Sequence, residues 1–137
     1  MQDFQGIRYL QQGAGDPVIV WAHGWGQSHA AFLPLAESLN TIGTHVLVDL
    51  PGFGASAAPD DVWGTEDYAD RMAKLISAVT DAPIIWVGHS FGCRVGLQLA
   101  AKYPDLVSKL CLVAGAGLPR KKPFLTKVYF KTRIAVY

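Results

Sequence analysis

The chain has 137 residues, half of them apolar, which suits one domain with a sizeable core. Its 12 Lys and Arg against 11 Asp and Glu give a formal net charge of +1, a balance that points to neither nucleic acid nor a membrane surface as partner. The average hides an asymmetry: the stretch 118–137 holds Arg120, Lys121, Lys122, Lys127, Lys131 and Arg133 and no acid, while every Asp and Glu lies before it. Cys93 and Cys111 make neither a disulfide framework nor a metal spacing, and both read as small core residues. The opening "MQDFQGIRYL" lacks a basic segment followed by an apolar one, and no apolar run reaches membrane-span length. A soluble, cytoplasmic protein without signal peptide or membrane span is therefore expected.

Strand and helix patterns alternate along the chain. "GIRYLQQ" is strand-like and ends at the turn cluster "GAGD". "PVIVWAH" is a continuous apolar run rich in β-branched residues, the mark of a strand buried on both faces. "SHAAFLPLAESLN" predicts a helix with Ser28 as N-cap, and "THVLVDL" a second buried strand. The loop "PGFGASAAPDDVWG" leads to "TEDYADRMAKLISAVT", an amphipathic helix opened by Thr65 and followed by acids that suit its N-terminal dipole. "APIIWVGH" is another buried strand, "SFGCRVGLQLAAKYP" the helix after it, and "SKLCLVAGAG" a further strand. Strands separated by helices predict an α/β fold with a parallel sheet covered on both faces. Within the helix after Ser90, Gly92, Gly96 and Ala100 leave a stripe of nearly bare backbone that can press onto the sheet. Val95 and Leu99 form an apolar stripe beside it.

Gly88-His89-Ser90-Phe91-Gly92 fits G-x-S-x-G between a strand and a helix, the context that gives the pattern meaning. A sharp turn there strains the serine backbone, and only glycine-sized neighbours tolerate the crowding. The turn would lift Ser90 Oγ clear at the carboxyl end of the sheet, beside helix N–H groups suited to developing negative charge. His23-Gly24-Trp25-Gly26 follows the strand "PVIVWA". Acyl transfer builds an oxyanion that needs preorganised donors. The Phe91 amide is one candidate and the Trp25 amide the other.

In "HGWG", "DLPGFGAS" and "GHSFG", each at the end of a predicted strand and in this order, the chain resembles the α/β-hydrolase superfamily. The likeness runs to about Gly117 and is greatest for the esterase-like branch, which includes pimeloyl-carrier-protein methyl esterases, C–C bond hydrolases and cofactor-free haloperoxidases. It implies Ser90 as nucleophile, with Trp25 and Phe91 as oxyanion hole and His23, Gly24, Gly88 and Gly92 as supporting loop residues. It implies a small-molecule ester or acyl substrate and no metal or organic cofactor. Dehalogenases and epoxide hydrolases would carry Asp where Ser90 stands.

In this fold the acid and then the histidine follow the serine. Here no histidine follows Ser90, and the single later carboxylate, Asp105, sits past the helix that Ser90 opens, roughly 20 Å away at about 1.5 Å per residue. The expectation is an amino-terminal part of a hydrolase core over residues 1–117, truncated after about the sixth strand, with a cap or lid segment starting at 118–137. A chain without base and acid would be a poor catalyst; a non-catalytic fragment or binding module is one competing reading, and C–C bond hydrolysis or cofactor-free haloperoxidase chemistry on the same scaffold is another.

Each residue singled out has a plainer role to weigh. Ser90 could be an ordinary helix N-cap. His89 points away from its neighbour on so sharp a turn and reads as structural. His23 is expected to hold the oxyanion loop by hydrogen bonds, and His29 and His45 to sit at a helix start and a strand start without chemistry. Gly52-Phe53-Gly54-Ala55-Ser56-Ala57 matches a dinucleotide-binding pattern, but Pro59, Asp60 and Asp61 follow where a helix should open, so nucleotide binding is set aside. Asp49 is expected to brace that loop. The basic stretch is read as a cap helix with Phe124, Val128 and Tyr129 toward the active site, or as a docking face for an acidic acyl-carrier protein.

Overall fold

The computed structural model describes residues 1–115. Its strands are β1 (Gln2–Phe4), β2 (Ile7–Gly13), β3 (Val18–Ala22), β4 (Thr44–Val48), β5 (Ile84–His89) and β6 (Val107–Val113), with helices α1 (Leu33–Ser38), α2 (Thr65–Val79) and α3 (Phe91–Lys102). They form one sheet in the order β1-β2-β4-β3-β5-β6. From β4 through β6 all pairings are parallel. The expected parallel sheet is thus corrected at one side: β1 and β2 form a hairpin, and β2 runs antiparallel to β4. A tight Gln5-Gly6 turn with both residues at positive φ joins the hairpin, so no crossover helix is needed there.

Every residue of β3 and β4 is buried, as continuous apolar runs require. Their side chains alternate between two cores. Val18, Val20, Ala22, Val46 and Val48 meet Met72, Leu75 and Ile76 of α2 and Val95 and Leu99 of α3. Ile19, Trp21, Leu47 and Val87 meet Phe32 and Ala36 on the opposite face. His45 is fully buried there, its Nδ1 accepting the Trp21 indole N–H at 3.0 Å and its Nε2 donating to Leu39 C=O at 3.0 Å. That pairing makes it a core residue.

Two local expectations need correction. The helix expected over Ser28–Asn40 is broken into a 3-10 turn, His29–Ala31, and the short α1, and Ser28 makes no capping bond. Pro34 has no N–H to offer the Ala30 carbonyl, and the His29 N–H is drawn to Asp49 Oδ1 at 2.6 Å. Helix α2 begins at Thr65 as expected, behind Gly64, whose N–H donates to Asp67 Oδ2 at 2.8 Å. Cys93 is buried as expected, but Cys111 is exposed. It lies on β6, which pairs only with β5 among the described residues and leaves Leu110 and Val113 exposed as well. The junction expected at 117–118 and the cap or docking roles of Phe124, Val128, Tyr129 and the basic residues lie outside the described residues. Among those described, no helix is long and apolar enough to cross a membrane.

Candidate active site

Strand β5 delivers Ser90 to the carboxyl end of the sheet, where the chain reverses into α3. Ser90 sits at φ 48°, ψ −100°, a region that L-residues rarely occupy, and its side chain makes no capping bond. The ordinary N-cap geometry is therefore absent. The turn is held from both sides: Ser90 N–H donates to Val113 C=O at 3.0 Å, and Cys93 N–H donates to Ser90 C=O at 3.2 Å. Its glycines are a steric necessity. A Cβ on Gly88 would lie 2.5 Å from Gly92 O, and one on Gly92 would lie 2.1 Å from Ala22 O. Three backbone segments, from β3, β5 and α3, thus meet where one methyl group would part them. Behind them Trp86 donates its indole N–H to Gly92 C=O at 3.0 Å.

The 23–27 loop is anchored against this turn. Gly92 N–H donates to His23 C=O at 3.2 Å. The fully buried His23 ring donates from Nδ1 to Gly24 C=O at 2.7 Å and accepts the Leu50 N–H on Nε2 at 3.0 Å. Burial lowers its pKa, although the bond to the Gly24 carbonyl pulls the other way. Neutral, buried and with both ring nitrogens engaged, His23 has no lone pair left for a base. The ring ties Gly24 to Leu50. His89 Nδ1 meets Gln27 Oε1 at 3.0 Å, and no histidine among the described residues hydrogen-bonds Ser90 Oγ.

Asp49 is likewise committed. Its Oδ1 accepts from the backbone N–H of His29 at 2.6 Å and from His29 Nδ1 at 2.8 Å, while Oδ2 accepts the Ala55 N–H at 2.9 Å. Ser56 Oγ donates to Asp49 C=O at 2.6 Å, closing the 49–57 loop. Burial pushes the Asp49 carboxyl up, but the Ala55 and His29 donors outweigh it and hold its pKa below the usual carboxylate range. The glycine pattern here wraps a carboxylate and opens no helix, in keeping with the rejection of nucleotide binding.

Aromatic side chains, not only backbone amides, surround the elbow. Trp25, 70% exposed, stands edge-on to Phe53 at 4.9 Å and Phe91 at 5.2 Å between ring centroids. Tyr68 packs edge-on against Phe91 at 5.1 Å and donates to Pro51 C=O at 3.1 Å. The signal was present, since Trp25, Phe53 and Phe91 lie one in each motif. The site thus pairs one uncapped hydroxyl with an apolar wall and a helix N-terminus. Phe91 N–H belongs to the first turn of α3 and has no partner within the helix by position. A cleft of about 780 Å³, bordered by Asp70, Lys74, Lys102 and Tyr103, shares no residue with the three motifs. Asp105 borders that cleft beyond the far end of α3, as its sequence distance implied.

The family described as alpha/beta hydrolase fold matches residues 17–133. The chain belongs to it. Among curated hydrolases, a pimeloyl-[acyl-carrier protein] methyl ester esterase of Chromobacterium violaceum is 41% identical over 108 residues, covering 79% of this chain and 39% of that protein. A 2-(acetamidomethylene)succinate hydrolase of Mesorhizobium japonicum is 38% identical over 107 residues, covering 78% and 38%. Among solved structures, a membrane phospholipase A, a bacterial virulence factor, superposes with a TM-score of 0.79 at 29% identity, over 92% of this chain and 42% of that one. The chain thus spans less than half the length of these curated relatives.

Proposed function

We propose that this α/β hydrolase acts on carboxylic esters or thioesters with Ser90 as nucleophile. The observation that carries the reading is the strained, uncapped backbone of Ser90 between two glycines that admit no side chain. Strain of this kind persists where surrounding packing imposes it, and it clusters at reactive positions. In the proposed reaction Ser90 Oγ attacks the carbonyl carbon, forming a C–O bond as the carbonyl π electrons move onto oxygen. The amides of Phe91 and Trp25 receive that oxyanion. Collapse expels the alcohol or thiol, and water releases the acid from the acyl-enzyme. The hydroxyl proton that Ser90 gives up needs a base, and His23, His29, His45 and His89 each hydrogen-bond other groups. The base and its acid are therefore proposed to lie outside the described residues. The 137-residue chain alone should then keep only the roughly 10³–10⁴-fold acceleration that binding and an oxyanion hole supply.

Within this reading the substrate is a small ester, including one carried on an acyl-carrier protein. The pimeloyl-[acyl-carrier protein] methyl ester esterase relatives support that choice, as does the acid-free basic stretch 118–137, which suits an acidic carrier. The test compares Ser90→Ala with the unaltered sequence in the complete gene product, using p-nitrophenyl acetate, a pimeloyl methyl ester and 2-(acetamidomethylene)succinate. Loss of turnover by at least about 10⁴-fold is expected. Undiminished turnover in Ser90→Ala would remove the serine from the mechanism.

A further inference from the structure

We infer that Gln27 is a positioning residue: it clamps the 23–27 loop to the Ser90 turn and so sets the direction of the Trp25 amide. The inference rests on the serine-hydrolase reading above. Gln27 Oε1 accepts the Gly24 N–H at 2.9 Å and meets His89 Nδ1 at 3.0 Å. The Gly24 amide can only donate, which fixes the oxygen of Gln27 at that point. An amide oxygen can only accept, which places a proton on His89 Nδ1. One side-chain atom therefore joins the end of β3 to the residue immediately before Ser90.

The backbone closes the same ring. Gln27 N–H donates to Gly24 C=O at 3.2 Å, leaving Trp25 and Gly26 as the central residues of a turn. Gly26 at φ 72° has the sign that a type II turn requires at its third position. Gly24 is needed for a different reason. A Cβ there would lie 2.8 Å from both Gln27 Oε1 and His89 Nδ1, inside the clamp itself. Trp25 is thus bracketed by two tethers to the elbow, one from His23 C=O to Gly92 N–H and one from Gln27 to His89. The first is buried beneath the loop, but the second is exposed, so it adds little to folding. Its use lies in geometry. An oxyanion donor acts through preorganisation, and a misplacement of about 1 Å can cost about 100-fold in rate.

The experiment is steady-state kinetics on the complete gene product with p-nitrophenyl acetate, normalised to active sites titrated with a fluorophosphonate. Gln27→Met keeps size and removes the acceptor, and at an exposed position it should fold with Tm within about 2 °C. It is expected to lower kcat by about 10–100-fold while KM moves less than about twofold, because the oxyanion contact strengthens only in the transition state. Gln27→Glu restores an acceptor oxygen and is expected within about threefold of the unaltered enzyme. His89→Ala should mimic Gln27→Met, and the double variant should be no worse than either single one, as residues acting as one unit behave. Unchanged kcat in Gln27→Met, or equal losses in the Met and Glu variants, would overturn the clamp while Ser90→Ala still reports on the nucleophile. Full turnover in Ser90→Ala would sink both together.

Discussion

The Ser90 turn and the His23–Asp49 brace lie side by side at the carboxyl end of the sheet and use their polar groups in opposite ways. In the brace each reactive-looking atom is consumed: both nitrogens of His23, both carboxylate oxygens of Asp49 and the Asp49 carbonyl have partners. At the turn a hydroxyl is left uncapped on backbone that the surroundings force into an unfavourable conformation. Residue type alone would have ranked His23 and Asp49 as equal candidates for chemistry. Partner satisfaction distinguishes the two: a fully paired buried group holds geometry, and the uncapped hydroxyl on strained backbone is the group the proposed reaction uses.

The contrast breaks most readily at Gly92. A methyl group there would meet the Ala22 carbonyl oxygen at 2.1 Å and the His23 carbonyl oxygen at 2.9 Å, with backbone rather than flexible side chain on the receiving side. Gly92→Ala should therefore destabilise the fold by about 3–5 kcal/mol, an overpacking cost raised by lost contact between three backbone segments. Urea unfolding measures it. A loss under about 1 kcal/mol would mean that the elbow is looser than its contacts imply.

The brace should respond next, and with a pH signature. Asp49→Ala strands the buried donors of His29 and Ala55 and should cost about 2–3 kcal/mol. Acid should act on the unaltered chain in two stages. The His23 pKa is lowered in the folded state, so between its ordinary value near about 6.5 and that lowered value the unfolded chain binds the extra proton and stability falls with pH. Asp49, whose folded pKa is also depressed, contributes fully above the ordinary carboxylate value near about 4, and that contribution is lost as pH falls through the folded value. Tm measured from pH 7 to pH 3 should decline throughout, and Asp49→Asn should flatten the lower part. A Tm that rises on acidification would contradict both assignments.

How much of this could be read without coordinates follows from the range of the forces involved. The buried strands and the elbow are written in local patterns: unbroken apolar runs, a serine between glycines, a glycine four residues on. The bracing role of Asp49 was legible because a carboxylate at a strand end before a glycine-rich loop has nearby amides to accept. The β1–β2 hairpin was missed because its first strand is only three residues long, too short for a period to show. The break before α1 depends on Asp49, 20 residues away in sequence, taking the His29 amide. The exposure of Cys111 depends on where β6 falls in the sheet order. Gln27 carries no motif at all, and its importance exists only once β3 and β5 are neighbours.

The smallest expected effect is also the one that tests the contrast most directly, because its sign is unusual. At φ 48°, ψ −100° Ser90 occupies backbone space that glycine reaches freely and that costs an L-residue about 1–3 kcal/mol. Ser90→Gly releases that strain, offset by the greater freedom glycine gives the unfolded chain, about 0.5–1 kcal/mol. Little else is lost, since the side chain makes no capping bond. The variant should therefore be more stable by up to about 1–2 kcal/mol, seen as a rise in the urea midpoint without change in slope. A position selected for packing alone would have settled on the residue that fits its backbone. A gain in stability on removing the hydroxyl would show that the serine is kept against the preference of the fold, whereas a loss would make Ser90 part of the scaffold, like His23 and Asp49.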